Sequence, residues 1–168
     1  MAVSLKKGDG ISLKKSEHDL SEVTIGLGWD VVKPKGFWNT LFSGKEEDYD
    51  LDAIAFVLQE DGKLHNLGRV EQGKPTLIGG DVVFYNSKRH PTGYLWLTGD
   101  NRTGAGDGDD EQIIVQLSSL PAQIARVVFV VQIYQGIQKK QNFSKIENAF
   151  IRAVDKNRKE ICRFDLSG

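Results

Sequence analysis

Residues 99–111 read GDNRTGAGDGDDE, five carboxylates and four glycines in thirteen positions. Carboxylates at this density repel one another, and the glycines raise the entropy cost of ordering the chain, so a folded loop of this kind needs a compensating positive charge. A hard cation suits it. Calcium takes about six to eight oxygens from carboxylates and backbone carbonyls. Asp100, Asn101, Thr103, Asp107, Asp109, Asp110 and Glu111 offer side-chain oxygens, and Gly104, Gly106 and Gly108 let the backbone turn and present its carbonyls. No His or Cys stands nearby, which disfavours zinc and copper. An EF-hand is disfavoured because the flanking segments read as strands and the third position from Asp100 is Arg102. GAGDGD echoes a β-roll repeat only once. Taken alone, such a loop also reads as a solvated turn.

Two further acidic clusters strengthen the metal reading. In DYDLDA, Asp50 and Asp52 are two apart at the start of a strand, so their side chains share a face. Asp30 closes the strand VTIGLGWD. Strand ends gather at one edge of a sandwich, so these segments are expected to meet. Each by itself has a plain structural reading, since Asp often begins or ends strands. Together Asp30, Asp50, Asp52, Asp100, Asp107, Asp109, Asp110 and Glu111 exceed what one divalent ion needs. Either some face solvent or two ions bind.

The elements that position these residues are strands. In residues 23–30, Val23, Ile25, Leu27 and Trp29 share one face, and Thr24, Gly26, Gly28 and Asp30 the other. Segments 81–86, 93–98, 112–117 and 125–135 are β-branched and aromatic, bounded by turn-forming residues. Residues 51–59 and 125–135 are apolar on both faces and suit central strands. The tail reads as two strands joined at Asp155–Lys159. The opening reads as a hairpin of Val3 and Leu5 against Ile11 and Leu13, around Gly8-Asp9-Gly10. Short helical candidates are SLPAQIA and FWNTLF (37–42). The expected fold is all-β, a β-sandwich of two mainly antiparallel sheets with short helical connections.

At 168 residues the chain fits a single domain, and 39% hydrophobic with 27% charged residues is ordinary for a globular protein. A net charge of -1 gives no sign of nucleic-acid binding. The single cysteine, Cys162, excludes an internal disulfide and reads as a core residue. No segment resembles a signal peptide or reaches the ~20 apolar residues of a membrane span, so a cytoplasmic protein is expected.

MAVSLKKGDGISL, GLGWD, DYDLDA, VVFYN and GDNRTGAGDGDDE occur in the order seen in the TerD-like family of tellurium-resistance and stress-response proteins. The resemblance runs from residue 1 to about 168 and is most specific in the acidic loop. It implies a calcium-binding β-sandwich in the bacterial cytoplasm, encoded among stress operons and associated with resistance to tellurite, colicins and phage. It further implies work with other stress-operon proteins, including an integral membrane protein of the same operon, rather than catalysis. The family's acidic motifs fall on Asp30, Asp50, Asp52, Asn86, Asp100, Asn101, Asp107, Asp109, Asp110 and Glu111, with Gly104, Gly106 and Gly108 as carbonyl donors. One departure is the long segment VVKPKGFWNTLFSGKEE between GLGWD and DYDLDA, where the simplest members carry a short polar loop.

Three functions follow as expectations. The first is a calcium-binding, non-catalytic module in a stress-response assembly, with metal shaping a docking surface. The second is calcium-dependent peripheral attachment at the inner face of the membrane, with Phe37, Trp38, Leu41 and Phe42 as an inserting tip beside Lys33, Lys35 and Lys45. The opposing reading packs those aromatics on the sandwich as a lid. The third, a metal-dependent enzyme, is the weakest. His18, His65 and His90 sit in unrelated polar segments and read as surface residues, and no nucleophile elbow, phosphate loop or Cys pair is present.

Overall fold

The computed structural model describes residues 2–31, 49–98 and 108–166. Among these residues eleven strands run in chain order: β1 Val3–Leu5, β2 Val23–Val31, β3 Leu51–Gln59, β4 Val70–Glu71, β5 Lys74–Pro75, β6 Val82–Val83, β7 Leu95–Leu97, β8 Glu111–Val115, β9 Ile124–Ile133, β10 Ile146–Asp155 and β11 Glu160–Asp165. They form a six-stranded sheet in the order β1-β11-β10-β2-β8-β7, a three-stranded sheet β6-β3-β9, and a small β4-β5 hairpin. The expected all-β sandwich is therefore the observed architecture.

The core lies between the two larger sheets. The alternation read in residues 23–30 holds: Leu27 and Trp29 are buried against Leu51, Ala53, Ala55 and Val57 of β3 and Ile113 and Val115 of β8. The Trp29 indole donates to the Tyr49 carbonyl at 3.1 Å, so a large ring is buried without stranding its N–H. A second, smaller cluster joins Leu20, Val23 and Ile161, with Cys162 packed against it. Burial pushes the Cys162 thiol above its ordinary value, in keeping with a packing role.

Several expectations are corrected. The opening segment does not form a hairpin with itself. Val3–Leu5 pairs in parallel with β11, placing Val3 opposite Cys162, and Ile11 and Leu13 are exposed and outside any strand. The two short basic arms have too little apolar surface to hold each other, whereas the edge of β11 offers a free ladder. SLPAQIA is not a helix: a 3₁₀ turn covers Leu117–Ser119, before Pro121. β3 is central in its sheet as expected, but β9 pairs only with β3 among the described residues. Its Val128 and Val130 are accordingly exposed on the outer face. FWNTLF lies outside the described residues.

Candidate functional site

The strand registers gather the acidic segments at one end. Val31 at the end of β2 faces Ile146 at the start of β10, Leu27 faces Glu111 at the start of β8, and Leu51 at the start of β3 faces Ile133 at the end of β9. Asp30, Asp50, Asp52, Asn86, Gly108, Asp109, Asp110 and Glu111 therefore share one end of the sandwich. Asp100, Asn101, Gly104, Gly106 and Asp107 of the acidic loop lie outside the described residues, as do Phe37, Trp38, Leu41 and Phe42.

At that end the carboxylates point in different directions, because successive residues of an extended chain alternate faces. Glu111 points between the sheets. It is 2% exposed, and its Oε2 accepts from the backbone N–H of Ala53 on the opposite sheet at 2.8 Å. Asp110 continues the ladder beside β2: its N–H donates to the Leu27 carbonyl at 2.8 Å, and its Oδ2 accepts from the Trp29 N–H at 2.9 Å.

Asp109 lies on the outer face of the six-stranded sheet. It accepts from Arg152 Nε at 2.8 Å and from Gln112 Nε2 at 3.0 Å. Arg152 in turn donates to Glu160 at 3.1 Å. The Asp109 hydrogen bond is the main reason the Arg152 guanidinium is held above its ordinary value. Room for this arrangement comes from the two glycines of GLGWD. A Cβ at Gly26 would collide with the Asp109 carboxylate, and one at Gly28 would stand 2.5 Å from the Phe150 ring and 2.7 Å from the Gly108 carbonyl oxygen. The polar face of β2 is thus roofed by residues 108–109 and Phe150, and both glycines are buried.

Asp30, on the same outer face, is exposed and accepts from Asn148 Nδ2 at 2.8 Å. Asp52 occupies the outer face of the other sheet, between the inward Leu51 and Ala53; it is 4% exposed and accepts from Gln132 Nε2 at 3.3 Å. Asp50 is half-buried, and its carbonyl accepts from the Tyr134 N–H at 2.8 Å. Asn86 is exposed in the turn between Phe84 and Ser87. The fold brings these residues to one end without bringing them to one point. Among the described residues, no three His, Cys, Asp or Glu side chains form a compact ligand cluster.

Sequence reasoning missed Arg152, Gln112, Gln132 and Asn148, the donors that hold these carboxylates. The one signal for Arg152 is a charged residue inside the apolar strand AFIRAV; its register partner is Gly26, beneath Asp109.

The histidines are not all surface residues. His90 is buried, with Nε2 3.2 Å from Asp81 Oδ1 and Nδ1 2.8 Å from Thr92 Oγ1. His18 Nδ1 is buried 3.6 Å from Asp155 Oδ2, while His65 remains exposed, 2.9 Å from Asp61. His90 and His65 pin the loop between β3 and β6, and His18 lines a polar cleft with Ser16, Asp19, Ser118 and Asn157. All three belong to the end opposite the acidic segments. No helix among the described residues is long and apolar enough to cross a membrane.

Comparison with known proteins matches the TerD domain to residues 1–168. The chain is 63% identical to the tellurium resistance protein TerX of Serratia marcescens, over all of this chain and 79% of that protein. It is 40% identical to the stress response protein SCP2 of Bacillus subtilis, over 99% of this chain and 78% of that one. A solved homologue of the telluride resistance protein TerD from Streptomyces coelicolor superposes with a TM-score of 0.57 at 26% identity, over 85% of this chain and 70% of that one. Asp30, Asp50 and Asp52 thus lie at one end of a β-sandwich, and the chain belongs to the TerD family.

Proposed function

We propose that this chain is a calcium-binding, non-catalytic module of a bacterial stress-response and tellurite-resistance assembly, in which metal orders the acidic loops into a docking surface. The observation that carries the reading is the convergence at one end of Asp30, Asp50, Asp52 and Asp109–Glu111 from three distant stretches of sequence. The donor set is all oxygen, as a hard cation requires. Two of its carboxylates, Asp52 and Glu111, are almost fully buried, and Glu111 is bonded to the backbone of the residue after Asp52. A divalent ion held there would add favourable charge beside both carboxylates.

Within this set the residues differ in fitness. Asp109 is the poorest, because its two oxygens are taken by Arg152 and Gln112. Residues 100–107 would complete the coordination, and their charge is the reason to expect two ions. Its relatives among tellurium resistance and stress response proteins support the resistance and stress role. Partners from the same operon, including an integral membrane protein, would recognise the metal-ordered surface. The non-catalytic reading is supported by His90 and His65, whose ring nitrogens serve loop geometry.

Calcium titration calorimetry on chelator-treated protein tests the proposal, with magnesium as competitor. The expected result is calcium binding in preference to magnesium, with stability raised by roughly 2.7 kcal/mol at about a hundredfold excess over the dissociation constant. Asp52→Asn should weaken the binding. An unchanged melting curve in excess chelator would remove the metal from the account.

A further inference from the structure

The turn after β9, residues 134–140, carries an apolar side chain that none of the other described residues covers. Ile137 is 93% exposed, against 69% for Val70, the next most exposed large apolar residue among those described. A lone exposed aliphatic is ordinary. What sets Ile137 apart is how it is held and what surrounds it.

The turn is closed by backbone hydrogen bonds: Gly136 N to Ile133 O at 3.0 Å, Lys139 N to Gln135 O at 2.9 Å, Lys140 N to Ile137 O at 3.2 Å and Gln141 N to Gly136 O at 2.7 Å. Gln135 and Lys140 both sit at φ 54, a left-handed conformation that costs non-glycine residues roughly 1–2 kcal/mol each. A knotted turn of this kind projects Ile137 outward and presents it without further ordering cost.

Behind the tip stands an aromatic row. Lys139 Nζ lies 5.9 Å from the centre of the Tyr134 ring, Tyr134 meets Tyr85 edge-on at 5.7 Å, and Tyr85 meets Phe84 at 5.4 Å. Lys139 and Lys140 are exposed beside the tip, and Tyr85 is 36% exposed. An aliphatic tip, then tyrosines, then flanking lysines is the layering of a protein surface that meets a bilayer: apolar atoms below the headgroups, phenol rings among them, ammonium groups on phosphate. The turn also lies at the carboxylate end, since the Tyr134 N–H donates to the Asp50 carbonyl.

We propose that the 134–140 turn is a lipid-contacting tip, which seats Ile137 in an anionic bilayer while Lys139 and Lys140 meet its phosphates. This is distinct from the 37–42 aromatics weighed above and stands on different residues. The binding is weak by construction. One buried Ile and two lysines near an anionic surface give a few kcal/mol in all, so tight attachment requires a second contribution. The neighbouring carboxylates repel anionic lipid until a cation neutralises them. Only that calcium dependence rests on the function proposed above.

The test is sedimentation with vesicles of phosphatidylcholine alone and of phosphatidylcholine with phosphatidylglycerol, in calcium and in chelator. The intact chain should sediment with the anionic vesicles and not the neutral ones, more strongly with calcium. Ile137→Ser should weaken the binding roughly tenfold, and Lys139→Glu/Lys140→Glu should abolish it. Val70→Ser, at the opposite end, should leave it intact. These exposed positions make little contact, so thermal melts of all variants should coincide. Absence of sedimentation by the intact chain, or equal binding by Ile137→Ser, overturns the proposal. Calcium binding by calorimetry with no vesicle binding overturns the tip and spares the calcium reading. Anionic-vesicle binding indifferent to calcium keeps the tip and counts against calcium at this end.

Discussion

At the end of the sandwich built from Asp19, Asp61, Asp81 and Asp155, carboxylates close turns on the chain's own backbone. Asp19 accepts from the Ser21 N–H at 3.0 Å, Asp61 from the Lys63 N–H at 3.0 Å and Asp155 from the Asn157 N–H at 2.9 Å, each two residues on. Asp81 takes the N–H groups of His65 at 2.9 Å and Asn66 at 2.7 Å. At the other end most partners are far away in sequence, the Gln112 side chain on Asp109 excepted. Asp30 and Asn148 are 118 residues apart, Asp110 and Trp29 81, Asp52 and Gln132 80, Glu111 and Ala53 58. Asp19 and Asp61 arrive with their donors, so their charge is offset wherever the turn forms, whereas Asp155 also accepts from the Asp19 N–H, 136 residues away, at 3.3 Å. Long-range carboxylates are offset only after the sandwich has assembled. On the function proposed above, an added cation acts at this second end.

The comparison can be broken by substitution at either end. The largest effect is expected for Asp81→Ala, which strands two backbone N–H groups and the His90 ring. With about 1.5 kcal/mol for each of the two backbone hydrogen bonds to this charged acceptor, the loss from those two alone is about 3 kcal/mol. For a chain of this size the melting temperature should fall by roughly 6–12 °C. The fall should be the same in calcium and in chelator. A calcium-sensitive loss would mean that the two ends are not energetically separate.

Gly28→Ala comes next. Its methyl would meet the Phe150 ring at 2.5 Å and the Gly108 carbonyl oxygen at 2.7 Å, and overpacking of this kind costs about 1–3 kcal/mol. It should also lower calcium affinity, because the 108–110 segment must shift to accommodate the new atom. Gly62→Ala at the far end meets nothing within 4 Å and sits at φ +74. It should cost only the left-handed strain, roughly 1 kcal/mol, and leave calcium titrations unchanged. Equal effects of the two substitutions on calcium affinity would erase the distinction drawn here.

The smallest effect is the acid response. Asp19 is held below its ordinary value of 3.8 chiefly by the Ser21 hydroxyl, and Asp61 below the same value chiefly by His65. For Asp155, burial raises the carboxyl, but the backbone N–H groups of Lys159, Asp19 and Asn157 outweigh it and bring it below 3.8. Depressed carboxyls stabilise the fold above their unfolded value, and that contribution disappears as pH falls through the lower folded values. As pH falls below about 4, the protection of the Asn157 and Lys159 amides relative to an unfolded chain should therefore drop, with a modest fall in melting temperature. Unchanged protection of those amides below that pH would show that the turns do not depend on the ionised carboxylates.

Much of this was legible in the residue order. The inward Leu27 and Trp29 and outward Gly26, Gly28 and Asp30 follow from a period-two pattern, which is local and survives any choice of strand partner. The strand at residues 51–59, the turn at Asp155–Lys159 and the acidic composition of the candidate site are local in the same sense. Pairing was not legible. That Val3–Leu5 lies parallel to β11 rather than folding on residues 11–13, and that β9 pairs only with β3 among the described strands, depend on which edges compete for a short strand. His90 reads as a polar surface residue until Asp81 and Thr92 enclose it. Asp109 reads as a metal ligand until Arg152, 43 residues away, arrives over Gly26. The chain order specified how many carboxylates this protein carries and which strand ends bear them. Only the packed sandwich decided which of them meet a positive charge, because that charge sits on a different strand.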